Sequence, residues 1–210
     1  YAVPKAIDWL GSRHDKAMRM ALRDGFFGGL SNDEYARFEA SDDETYQMVM
    51  INAMEWLLAE GQIKVRGQDV PIMECLLGPG GPVLSPIQRQ WLEQLGMARL
   101  SLYEVVDLVP GESMCMRDLL FPELAPIWVQ ERSGSAEASP YDVTAARVMR
   151  VDDHYELSGA VYGFHRHRCF DLINELRDEL EGLDNHDWQV REITGSIIPD
   201  RWLQMLTAPI

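Results

Sequence analysis

Cysteine is scarce in this chain. Cys75, Cys115 and Cys169 are the only three in 210 residues, widely separated and without a Cys-x-x-Cys pair. An odd, dispersed set excludes a disulfide-built scaffold and fits a reducing compartment, so a cytoplasmic location is expected. No run approaches the roughly 18 consecutive apolar residues of a membrane span. The opening residues lack the basic, apolar and small-residue order of a signal peptide, and no membrane partner is expected. Basic residues are also few: 19 Lys and Arg face 34 Asp and Glu, a formal net charge of −15. Phosphate contacts need a surplus of Lys and Arg, so the charge disfavours nonspecific binding to nucleic acid. Familiar catalytic signatures are missing as well. There is no Gly-x-Ser-x-Gly, no His-Glu-x-x-His, and Gly81 is followed by Pro82 where a Walker loop would carry Lys.

What remains is a chain that is 46% hydrophobic, enough to build a core without staples. The first sixty residues read as helices. Ser31-Asn32-Asp33-Glu34 and Ser41-Asp42-Asp43-Glu44 have the Ser-x-x-Glu spacing of a capping box, in which the Ser oxygen and the Glu carboxylate satisfy reciprocal backbone amides. From Thr45 to Glu60 apolar residues fall on most sides, which predicts a buried helix stopped at Gly61. Gly78-Pro79-Gly80-Gly81-Pro82 is the clearest break in the chain. A further helix is expected from Ser85, with Pro86 at its first position and Gln88 completing a third capping box.

From Ser101 to Gly163 the rhythm changes to short β-rich runs separated by turn residues. Strands are expected over Ser101–Val109 and Met114–Leu120, joined at Pro110-Gly111, and over Pro126–Glu131, Ala145–Val151 and His154–Gly163. An amphipathic helix follows over Arg168–Glu181, with Cys169, Leu172, Ile173, Leu176 and Leu180 on one face. The fold class read from this pattern is α+β: a helical N-terminal part, a small antiparallel β-sheet or half-barrel, and a C-terminal amphipathic helix packed on it. The expected division is a helical region over 1–80 and a β-rich module with flanking helices over 83–210.

Tyr103-Glu104-Val105-Val106, Pro110-Gly111-Glu112, Arg117-Asp118-Leu119-Leu120 and Glu131-Arg132-Ser133 resemble a bacterial domain of unknown function found upstream of SEC-C metal-binding tails. The pattern continues through Asp142-Val143, Ala146-Arg147-Val148 and Leu157-Ser158-Gly159-Ala160, covering about residues 100–165. The resemblance implies a shared β-rich module and no reaction. The cysteine-rich tail is lacking here, so its zinc does not carry over. Read physically, Pro110-Gly111 suits a turn, and Arg117-Asp118 a salt bridge or turn bond with Leu119-Leu120 entering the core.

The candidate chemistry lies at the exit of the β-rich segment. His165 and His167 alternate, and on an extended stretch would point the same way, as two ligands for a metal such as zinc. Further ligands would have to come from His154, His186 or Asp152, and Cys169 is better placed as a core thiol. Without a defined third ligand, no cofactor is the expectation and zinc the alternative. Arg166 and Arg168, with Arg147 and Arg150 on preceding strands, would form a basic spot ahead of a helix N-terminus, able to receive an anion or an acidic partner. The bland account of the same arginines is neutralisation of the chain's own acids. With no catalytic constellation, the expected function is a non-enzymatic binding or adaptor module of a larger bacterial assembly whose partner is another protein. The alternatives are a nucleic-acid-associated protein or metal-dependent phosphoesterase using His165–Arg168, and an acidic DNA mimic built on Asp171–Asp187.

Overall fold

A computed structural model describes residues 2–208, with the side chains of His167 and Arg168 outside the description. The described residues divide into two compact units, one made of residues 2–97 and 203–208, the other of residues 98–202. The division falls after Met97, not at the Gly-Pro break. That break closes a loop within the first unit, where the Arg89 guanidinium donates to the Leu77 carbonyl at 2.9 Å.

The first unit is helical: α1 (Ala2–Ala21), a π-helical turn (Leu22–Phe26), α2 (Asn32–Glu39), α3 (Asp43–Glu60), the hairpin β1 (Gln62–Val65) and β2 (Gln68–Pro71), α4 (Ile72–Leu77) and α5 (Pro86–Met97). The capping boxes at Ser31–Glu34 and Ser85–Gln88 form as the sequence predicts. The third differs by one residue. Asp42, not Ser41, caps α3 and accepts from the Thr45 amide at 2.9 Å, since a carboxylate serves the helix N-terminus as well as a hydroxyl does. Val49, Ala53, Leu57 and Leu58 bury α3 in this unit. Gly61 ends it without a left-handed backbone. A Cβ there would stand 2.3 Å from the Leu57 carbonyl oxygen, so the chain needs the missing side chain for close approach.

The second unit contains β3 (Leu100–Val109), β4 (Ser113–Asp118), β5 (Ile127–Gln130), α6 (Arg132–Glu137), β6 (Val143–Val151), β7 (His154–Phe164), α7 (Arg166–Glu179) and most of α8 (Trp188–Thr207). The fold is mixed α+β, with helices at both ends of the chain and small antiparallel pairings between. The sheet goes further than the half-barrel expected. It closes in the order β3-β4-β5-β7-β6, every junction antiparallel except β5–β7, which is parallel. This is a five-stranded Greek-key barrel, the architecture of OB-type barrels. Two irregularities let so few strands close, one between Val105 and Asp107 and one between Ala146 and Val148. The first adds one residue, Val106, to β3 and the second adds two to β7, where Ser158, Gly159 and Ala160 stand against Arg147 alone; such insertions bend a strand and increase its twist. Tyr103, Val105, Met114, Met116 and Val129 fill one cluster of the core. The Pro110-Gly111 turn forms as predicted, with Gly111 at φ 76° and the Glu112 amide donating to the Val109 carbonyl.

Candidate interaction site

Among the described side chains, Arg147 and Arg150 do not join Arg166 in the predicted basic spot. Arg147 is 1% exposed and donates through Nη1 to the Ala98 carbonyl at 2.9 Å. Arg147 continues the buried alternation of Val143, Ala145 and Met149 along β6, whereas Arg150, three residues on, falls on the opposite face. Arg150 is exposed but lies seven residues along β6 from Val143, whose partner is Phe164 at the start of the Arg166 segment. At about 3.4 Å per residue, that is roughly 24 Å along the strand. Arg168 lies, by its side chain, outside the described residues.

The paired-histidine reading loses its premise for the same kind of reason. The chain is extended only as far as Phe164; His165 is the N-cap of α7, and residue 167 is already helical. In a helix, positions two apart do not face one another. His167's side chain lies outside the described residues. Cys169 is 1% exposed, and burial pushes its thiol up to about 11. His154, at the hairpin, bonds Glu156 at 2.7 Å and Asp153 at 3.3 Å, and both carboxylates raise its pKa. Among the described residues no group of three or more His, Cys, Asp or Glu side chains is arranged to hold a metal ion.

What the structure does bring together is Arg166 with residues from three other segments. Its Nη2 lies 3.0 Å from Glu104 Oε1, its Nη1 donates to the Tyr141 carbonyl at 3.1 Å, and its Cζ stands 5.2 Å from the Tyr141 ring centroid. Glu104 is largely buried, and Arg117 reaches its other oxygen at a looser 3.9 Å. Arg117 and Glu104 are directly opposed across β3 and β4, which is where side chains of opposite charge meet on a sheet face. Tyr141 is held in a left-handed conformation at φ 75°, unusual for a residue with a side chain. Its amide donates to the Val105 carbonyl at 2.7 Å, and the neighbouring Asp142 carbonyl accepts from the Val105 amide at 2.9 Å. The ring is 63% exposed.

The outer face continues along β4 and β5. Because Met114 and Met116 point into the barrel, Ser113, Cys115 and Arg117 point out, and Trp128 is opposed to Cys115. Trp128 is 48% exposed. Beyond it Gln130 is opposed to Ser113 and, on the other side, to Glu156. Gly111, Glu112, Ser113, Gln130, Arg132 and Glu156 line an open polar groove of about 860 Å³ at this end of the barrel. The face is thus an exposed Trp between a polar groove and an Arg-Glu-Arg cluster edged by an exposed Tyr.

Asp118 serves a different purpose from the one its neighbour suggested. It pairs with Arg99 at 2.8 Å, not with Arg117, and accepts from the Ser101 hydroxyl and the Leu120 and Phe121 amides. Adjacent strand residues face opposite sides, so Arg117 and Asp118 cannot share a partner geometry. Burial pushes the Asp118 carboxyl up, while Arg99 and the three donors pull it down; burial prevails. The predicted turn bond is present in this form, with Leu120 buried.

The acidic stretch Asp171–Asp187 is not one helix. α7 ends at Glu179, Glu175 is engaged by Arg201 at 2.6 and 3.0 Å, and Asp184 and Asp187 accept backbone amides in the turn before α8. No helix among the described residues is long and apolar enough to cross a membrane. No family model, curated protein or solved structure matches this chain.

Proposed function

We propose that this chain is a non-enzymatic binding module of a larger bacterial assembly, and that it engages another protein through the outer face of β3, β4 and β5. The observation that carries the reading is the exposure of Trp128 and Tyr141 beside Arg117 and Arg166. Trp, Tyr and Arg are the residues that dominate binding energy at protein interfaces, where a polar rim surrounds an aromatic anchor. Two features support a protein over a polyanion. Glu104 stands between the two arginines, and the adjoining groove carries Glu112 and Glu156 against Arg132. In this reading α7 packs on the barrel and presents Arg166, and the left-handed backbone at Tyr141 holds its ring outward at a cost that the Val105 hydrogen bonds offset. The resemblance over residues 100–165 to the domain preceding SEC-C tails fits a part-of-an-assembly role.

The test is affinity purification of the chain under gentle conditions from a bacterial host, followed by reconstitution with each recovered protein. A partner bound by the wild type and lost by both Trp128→Ala and Arg117→Ala, with unchanged thermal melting, is the expected result. A monomer with no reconstituting partner, or one retained by both variants, overturns the proposal. The barrel architecture favours one second reading, because OB-type barrels bind oligonucleotides on the corresponding strands and exposed aromatic rings stack on bases. That resemblance is of fold only. Binding of a labelled oligonucleotide that weakens steeply with salt and is lost in Trp128→Ala would select it.

A further inference from the structure

The first unit contains an open cavity of about 500 Å³, lined entirely by its own residues. That volume lies in the range of small-molecule sites. Its walls are apolar: Ala17, Met20 and Ala21 from the end of α1, Trp56 from α3 and Ile63 from β1. Charge sits at three of its edges, in Asp24 from the π-turn, Glu60 from the last position of α3 and Asp69 from β2. Among the described lining residues Lys64 is the single cation, and it is directly opposed to Asp69 across the hairpin. Asp24 is held by Arg23 Nε at 2.7 Å, and Arg23 itself does not line the cavity.

The π-turn shapes this wall. The Phe27 amide bonds the Leu22 carbonyl at 2.9 Å, the five-residue spacing that widens the helix and brings Asp24 and Gly25 to the cavity. Single π-turns within helices are uncommon and recur at functional positions. Gly25 is required where it stands. A Cβ on it would lie 2.3 Å from Trp56 Cη2, so the backbone rests directly on the indole. Phe26 braces the same ring with centroids 5.8 Å apart. The indole is therefore fixed on one side and lines the cavity on the other.

From this geometry we infer that the cavity is a binding site for a small organic cation with an aromatic or aliphatic body, the body against Trp56, Met20 and Ile63 and the ammonium toward Asp24 and Glu60. An aromatic face and carboxylates recognise the same charge from different directions: the ring by its quadrupole, the carboxylate by charge-assisted hydrogen bonds. With Arg23 holding Asp24 from outside and Lys64 opposed to Asp69, the three carboxylates still outnumber the two cations, which disfavours an anion of the same shape. The site lies in a different unit from the barrel face and shares no residue with it, so either proposal can fail alone.

The test is calorimetric titration of the whole chain with 2-phenylethylammonium, with 2-phenylethanol and phenylacetate as neutral and anionic analogues. The amine should bind about tenfold or more tightly than the alcohol, a difference typical of a partly desolvated cation at an aromatic and acidic site, and phenylacetate should not bind. Gly25→Ala, which displaces the indole, should abolish binding. Because that change lies beside the core, Met20→Lys provides the second arm: Met20 is 45% exposed, and a lysine there places a repelling ammonium at the cavity mouth. Loss of amine binding in Met20→Lys but not in Met20→Gln, with melting unchanged, supports the site. Equal binding of amine and phenylacetate, no amine binding by the wild type, or amine binding undiminished in Met20→Lys overturns it.

Discussion

The two units of this protein share local caps and distant ties, as between Arg37 and the Thr207 carbonyl in the helical one, but lean on them to different degrees. The difference decides how much of each can be read along the chain. The helical unit is fixed at its helix ends by short-range bonds: Ser31 with Glu34, Asp42 with Thr45, Ser85 with Gln88. The barrel is fixed by ties between distant residues, Asp118 to Arg99, Glu104 to Arg166, and Arg177 to the Leu119 carbonyl. A cap three residues long costs little chain entropy to close. A tie across fifty residues forms only when the surrounding strands are already in register. Local bonds therefore make helices, and distant ones test whether the barrel has closed.

The strongest way to break the comparison is Asp118→Ala. It leaves the buried Arg99 guanidinium and the Leu120 and Phe121 amides without their acceptor, and should cost about 3–5 kcal/mol in urea unfolding. A loss no larger than that of a single helix cap would remove the contrast. The same carboxyl gives a sign that can be checked by pH. Its pKa is raised on folding, so between the ordinary carboxylate value and the raised one the native state binds more protons than the unfolded chain. That contribution to stability is present at lower pH and declines as pH rises through this window. Asp118→Asn should flatten the slope, and an unchanged slope would show that other carboxyls set it.

Next in size is Ser31→Ala, which removes one capping box from the helical unit and should cost about 1 kcal/mol. The loss should appear in hydrogen exchange at the first turn of α2, and no change there would mean that the packing of Tyr35 on Phe27 already fixes that end. The smallest effect is expected at His154, half-buried at the barrel hairpin and paired with Glu156 and Asp153. Its raised pKa means that its contribution is fully present below the ordinary histidine value and is lost as pH rises through the folded one. NMR titration of the ring should place its midpoint above that of a free histidine, and Glu156→Gln should bring it down. A midpoint at the free value would mean that the carboxylates add nothing at this hairpin.

The strands and their turns were legible because Pro110-Gly111 and the alternating runs around it act over a few residues. The barrel's closure was not, since the parallel β5–β7 junction joins segments whose pairing no local pattern records. The arginine cluster failed for a related reason. Alternation along β6 puts Arg147 and Arg150, three residues apart, on opposite faces, and which of those faces is buried depends on what the folded barrel packs against it. Arg166 has neighbours in the fold other than those the sequence suggested. Its contacts, Glu104 and Tyr141, lie 62 and 25 residues away in the chain. Trp128 gave a usable signal only in being aromatic on a strand, because its exposure depends on which face of β5 turns outward. The cavity over Trp56 gave none, since its lining comes from α1, the π-turn, α3 and the hairpin together.

By itself the sequence determined the principal helices and strands, two of the three capping boxes, the Pro-Gly turn and the acidic character, all of which follow from residues within one turn or one strand of each other. Only the tertiary structure decided that the sheet closes, that Arg147 is interior, and that Arg166 meets Glu104 beneath an outward Tyr141. Those outcomes depend on register and closure, which are properties of several strands at once and are written in no single one of them.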